Sequence, residues 1–243
     1  MEVQDGFIVG VFNYCDRWCE RCPLTSHCRV FADHAEMEAA LDPGLKEVVD
    51  APPLAEEVEP PPPGWMRELV QEMNDACREP PSPEEWERIR PRVPTEHAAI
   101  DARARDYAVR TSRWLTETDR ELDLTAGSPH AAISWFHFFV AAKINRALTV
   151  WPDEGAEDGL LASDSDGSAK IALVAIERSH AAWLELVERA IVPADGAHPF
   201  IADLVWLGEA LERVRPNARA FVRPGFDEPE AVATLLAAER GRG

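Results

Sequence analysis

"SPHAAISWFHFFVAAKINRALTV", residues 128–150, is the stretch whose reading settles the fold class. Ser128 followed by Pro129 marks a helix start. The hydroxyl accepts a hydrogen bond from the first turn, and proline's missing N–H would have had no helical partner there. The residues that follow are apolar on nearly all sides, which predicts a central helix covered by neighbours. On one side of it, residues 95–123 carry a stripe of Ile100, Ala104, Tyr107, Trp114, Leu115 and Leu122 at helical spacing. On the other, helices are expected over 166–192, ended by Pro193 and Gly196, over 198–215, stopped by Pro216, and over 228–240. Long helices with short connections predict an all-α fold with an antiparallel four-helix bundle in the C-terminal half, residues 95–243.

The N-terminal part is less regular. Residues 1–41 form a Cys-rich segment, expected to hold a metal, that ends in a short helix at 29–41. Residues 42–64, "DPGLKEVVDAPPLAEEVEPPPPG", carry seven prolines and many acids, so they read as a linker or extended strap. Short helical pieces are expected over 65–94, including 65–77 and 83–90, with Pro83 in a first turn.

Within the first segment, "YCDRWCERCPLTSHCRV", residues 14–30, places Cys15, Cys19, Cys22 and Cys28 in one loop, whereas the rest of the chain has Cys77 alone. The first residues read as no secretory leader, and no segment reaches the apolar length of a membrane span. The setting expected is cytoplasmic, where thiols stay reduced and clustered cysteines act as ligands or redox groups. A structural zinc site usually joins two separated C-x2-C or C-x2-H knuckles. This loop has a single C-x2-C pair, and closely spaced cysteines suit a [4Fe–4S] cube, each iron of which takes one thiolate. Zinc is the alternative. Arg17, Arg21 and Arg29 are expected to offset the thiolate charge and lower the thiol pKa values, while Tyr14, Trp18, Phe12 and Phe31 shield the site. Cys15-x3-Cys19-x2-Cys22 resembles the cluster loop of radical SAM enzymes, which implies a cube held by three cysteines and one iron open to S-adenosylmethionine. The chain departs from that family in offering Cys28 as a fourth ligand and in lacking the alternating strands and helices of its barrel.

The helices also carry polar groups. Pairing them antiparallel brings His137 near His180, with Glu177 and Glu209 at the same level, a possible second metal site. Only one Glu-x-x-His pair is present, so a full di-iron set is not expected. The plainer reading makes His137 a hydrogen-bonded core residue and pairs Glu177 and Glu209 with arginines such as Arg178 and Arg213. Lys143, Arg146 and Lys170 fall near one level and form a possible site for an anion or small acidic ligand. Their plainer reading is pairing with Asp101 and Asp106. "DSDG" at 164–167 lacks the full calcium-loop pattern and reads as a helix start.

The net charge of −19 repels phosphate backbones, so nucleic acid and anionic membrane are excluded as expected partners. The function expected is a cytosolic metal-binding protein carrying a [4Fe–4S] cluster docked on a helical bundle. Its role is electron transfer or redox sensing, and its partner a redox protein or a small acidic ligand. The alternatives are a zinc-stapled interaction module and an enzyme with a His/Glu/Lys site among the helices.

Overall fold

The computed structural model describes residues 1–40, 82–118, 122–150 and 159–240, and most of these are helical. The proline-rich stretch 42–64, the expected helix 65–77 and Cys77 lie outside the described residues. A short hairpin pairs β1 (Val3–Gln4) with β2 (Phe7–Ile8). Asp5 and Gly6 form its turn with φ of 52° and 84°, the left-handed pair that a two-residue hairpin of this twist requires. The helices are α1 (Arg29–Ala40), α2 (Pro83–Ile89), α3 (Ala98–Glu117), α4 (Pro129–Leu148), α5 (Gly159–Glu188), α6 (Ala194–Val214) and α7 (Pro229–Arg240).

Two compact units result. One comprises Met1–Ala32 with Pro91–Gly243, the other Asp33–Arg90. In the second unit, α2 opens with a capping box. The Ser82 hydroxyl accepts from the Glu85 amide (3.2 Å), and the Glu85 carboxylate accepts from the Ser82 amide (2.8 Å).

The first unit is organised by α4. Ser128 caps it as its sequence requires, accepting from the Ala131 amide at 3.1 Å. Helix α4 packs on α3 and α5, α5 packs on α6, and α6 packs back on α3. Contacts along each pair run in opposite directions. Between α3 and α4, Asp101 accepts from Asn145 (2.9 Å) and Trp114 stacks on His130. Between α4 and α5, Arg178 lies over Phe136 and Arg146 pairs with Asp164 (3.0 Å). Between α5 and α6, Trp183 stacks on Phe200 and Ile176 meets Gly208. Between α3 and α6, Arg103 lies over Trp206 and Arg110 over Phe200. Tyr107, Phe136, Trp183 and Leu204 are fully buried at the centre. The one carboxylate that α6 buries, Asp203, is paired by both Arg103 and Arg110, as a buried charge must be.

Several helix boundaries differ from those expected, among them the start of α6, at Ala194 rather than 198. Helix α3 ends at Glu117, where the Thr118 hydroxyl donates to the Trp114 carbonyl (2.7 Å) and closes the last turn. Helix α5 starts at Gly159, so "DSDG" lies inside it rather than at its start. It ends at Glu188, not near 192. There Ala190 turns left-handed and the Ile191 amide donates back to the Leu186 carbonyl (2.9 Å), the 6→1 bond of a Schellman ending. Among the described residues, no helix is long and apolar enough to cross a membrane.

At Gly167 on α5 the N-terminal segment approaches a helix closely. A Cβ there would overlap the Tyr14 ring and lie 2.8 Å from Phe221 Cζ, whereas at Gly208 the nearest atom would be 3.8 Å away. Gly167→Ala is therefore expected to destabilise the protein by about 1–3 kcal/mol through overpacking. Gly208→Ala is expected to be neutral or to stabilise by about 0.5–1 kcal/mol, because glycine is a poor helix former. Paired urea denaturation curves read both, and equal effects at the two sites would remove Gly167 as a contact point.

Candidate metal centre

The cysteine loop is placed by the groove between α4 and α5. Tyr14 sits on Gly167, meets the Phe221 ring edge-on (4.7 Å) and donates a long hydrogen bond to Asp164 (3.4 Å). The Asp16 side chain pairs with Arg178 of α5, and its carbonyl accepts from the Trp135 indole of α4 (2.8 Å). Trp18 is buried, stacked on Trp135 (5.3 Å) and edge-on to Phe136 (5.8 Å). Lys143 donates to the Asn13 carbonyl at 3.5 Å. Trp135, Phe139, Lys143 and Arg146 follow one another at helical spacing, so one side of α4 meets loop residues 13–18.

Beyond that anchor, the chain makes two short 3-10 turns. Cys19 opens the first and Cys22 closes it, its amide donating to the Cys19 carbonyl (3.1 Å). Cys28 closes the second in the same way onto Thr25 (3.2 Å). Buried His27 ties this turn to the hairpin through Nδ1 and the Gly6 carbonyl (3.0 Å). Tight turns bring widely spaced cysteines back toward one place, and all four line a single cavity. Its atom-free space is about 310 Å³ including the open mouth. The walls are mostly apolar, built by Val11, Phe12, Trp18, Leu24, Phe31 and Phe226.

The Leu24 amide donates a backbone hydrogen bond to Cys22 Sγ at 3.4 Å, while the Cys15 thiol donates to the Phe12 carbonyl at 3.4 Å. Arg17 holds a left-handed φ of 56°, a conformation that costs a non-glycine residue free energy. Amide-to-sulfur bonds of this kind stabilise a thiolate and tune a metal bound to it.

The thiol pKa values run opposite to the expectation. Burial pushes Cys15, Cys19 and Cys22 up, and for Cys19 the three neighbouring sulfurs add to the effect. The expected arginine effect is confined to Arg17, which favours the Cys15 thiolate. Arg21 instead covers the Trp18 ring (4.3 Å) and Arg29 lies over Phe7 (5.4 Å). Neighbouring sulfurs disfavour one another's ionisation, and a cation placed among them would displace their protons.

The C-terminal segment completes the site. Cys22 and Cys28 pack with Ile8, Val11, Leu24, Phe226, Val232 and Leu235 in a small apolar cluster separate from the main core. Gly225, with φ of 76°, passes so close that a Cβ there would lie 3.0 Å from both Ile8 and Leu24. Arg223 and Asp227 clamp this turn (2.7 Å), and the Met1 amine meets Glu228 (2.7 Å). None of these C-terminal residues was legible as part of the site, because nothing in "FVRPGFDEP" marks a partner two hundred residues earlier.

The expected secondary sites do not assemble. His137 is buried with Nδ1 on the Ser134 carbonyl (2.7 Å), and burial holds its pKa down. Glu177 faces solvent and is paired, together with Glu212, to Arg219 rather than Arg178. His180 is half-buried and Glu209 exposed. Among the described residues, the four loop cysteines included, no three His, Cys, Asp or Glu are gathered closely enough to hold a metal ion. The cationic trio also divides. Arg146 takes Asp164, Lys170 donates to the Arg219 carbonyl (2.8 Å), and Lys143 turns to the cysteine loop. Asp101 and Asp106 pair with Arg105 and Arg110 within α3, not with these cations.

No family model, curated protein or solved structure matches the chain.

Because Trp18 joins the loop to α4, Trp18→Ala is expected to lower stability by about 3 kcal/mol in urea denaturation. It should also speed alkylation of the loop thiols in the metal-free protein. A change below about 0.5 kcal/mol, the size usual for surface substitutions, would show that the loop is held by something else.

Proposed function

We propose that this chain is an iron–sulfur protein of a reducing, cytoplasmic setting in which Cys15, Cys19, Cys22 and Cys28 ligate a [4Fe–4S] cluster. The observation that carries the reading is the convergence of all four loop cysteines on one apolar-walled cavity. The donor set fits. It offers four sulfurs, one for each iron of a cube, an amide hydrogen bond to one of them, and walls that limit water. When bound, such a cluster stores and releases single electrons. We read α3–α6 as an antiparallel four-helix bundle that serves as the rigid platform for the loop, and the opposed contacts along each helix pair support this.

Redox sensing is the favoured role. Val232 and Leu235 of α7, with Phe226, pack on Cys22, Cys28 and their apolar neighbours. A change in the loop is therefore felt directly by the C-terminal segment. Electron transfer to a partner protein is the second reading, favoured by the stack that links the cavity wall at Trp18 to Trp135, which is 37% exposed.

Oxygen-free purification tests the proposal. A brown protein with about four irons and four sulfides per chain is expected. Each of Cys15→Ala, Cys19→Ala, Cys22→Ala and Cys28→Ala should lose iron, while Cys77→Ala keeps it. Under the sensing reading, amide exchange in α7 slows when the cluster is loaded. A colourless protein holding about one zinc per chain would replace the proposal with a zinc-stapled module.

A further inference from the structure

We propose that Lys143 is the charge partner of the cysteine centre, a cation that the central helix holds against the loop to offset the negative charge gathered there. This rests on the iron–sulfur reading and adds to it a residue from outside the loop.

The argument begins with position. Lys143 lies two turns after Trp135 on the side of α4 that meets the loop. Its ammonium group is over the Phe139 ring (5.5 Å) and donates to the carbonyl of Asn13, two residues before Cys15. Lysine is scarce in this chain, at Lys46, Lys143 and Lys170, so few positions depend on one.

Charge supplies the second part. Lys143 is half-buried, and Arg17 and Arg146 both act on it as like charges. Such a grouping is unfavourable unless anions balance it. Among the described residues, the nearby acids are already engaged, Asp164 with Arg146 and Asp16 with Arg178, and none forms an ion pair with Lys143. Of the groups that favour the charged ammonium, Cys15 acts most strongly, ahead of Asp164. Two cations, Arg17 and Lys143, thus remain beside a sulfur that is neutral as a thiol and negative as a ligand. Their positive charge offsets the negative charge of four thiolates around a cluster, and their field favours one further electron on that centre.

The consequence is a shift in redox equilibrium. In a mediated titration the electron comes from dithionite. No bond is made or broken in the protein, and the added charge stays on the centre. A cation nearby favours the reduced form, so removing it lowers the midpoint potential.

The test compares wild type, Lys143→Met and Lys143→Arg, all loaded without oxygen, with iron and sulfide measured on each. Lys143→Met is expected to disfavour reduction about tenfold, equivalent to ~59 mV for one electron. Lys143→Arg, which keeps the charge, should stay close to wild type. An unchanged or raised potential in Lys143→Met with full iron content overturns the inference and leaves the iron–sulfur reading intact. If Lys143→Met fails to load, loading by Lys143→Arg alone supports a charge role, and failure of both shows a packing role and overturns it. Absence of iron from the wild type itself removes the iron–sulfur reading, and this inference with it.

Discussion

Trp18 is wedged between the stack of Trp135 and the edge of Phe136, and the centre depends on that wedge. A short loop with four cysteines has too little apolar surface to fold by itself. It gains shape by burying one large indole against a helix that is already fixed by α3 and α5. Aromatic contacts of this kind are worth about 0.5–1.5 kcal/mol beyond the area they bury. The neighbouring contacts act in the same direction. Asp16 bridges to Arg178 and Trp135, and Tyr14 occupies the space that Gly167 leaves open. With residues 13–18 held in this way, the turns at Cys19–Arg21 and Thr25–His27 start from a fixed point, and their sulfurs face one cavity.

The opposite wall of that cavity comes from the far end of the sequence. Phe226 enters it from a turn clamped by Arg223 and Asp227, and α7 packs behind it on Ile8, Val11 and Leu24. The small apolar cluster here is separate from the core that joins α3–α6. Small clusters contribute little stability of their own. Under the proposed function, this is the part of the fold that would respond to what the cysteines hold.

Much of this was legible in the sequence. The Ser128–Pro129 start and the apolar run after it define α4, because capping chemistry and periodicity are local. The cysteine spacing alone singled out the four residues proposed as ligands. Long-range side-chain choices were not legible. Arg146 was expected opposite Lys170, but its partner is Asp164 on α5 rather than an acid of α3, because a flexible cation pairs with whichever carboxylate the final register presents. His137 was read as a possible ligand and, more plainly, as a hydrogen-bonded core histidine, and it is buried and bonded to its own helix. Gly167 was expected at a helix start and proved to be a gap inside the helix that admits Tyr14, since a close approach by a distant residue leaves no local pattern. Lys143 was singled out for the wrong neighbours, because only the docked loop shows which side of α4 it lies on.

The central claim is that Cys15, Cys19, Cys22 and Cys28 act as one inorganic centre. X-ray absorption at the iron edge, on protein isolated without oxygen, tests it most directly. The account predicts an all-sulfur first shell with a short iron–iron vector beyond it, both lost when the loop cysteines are replaced. No iron in the sample, or iron surrounded by oxygen and nitrogen, would contradict it.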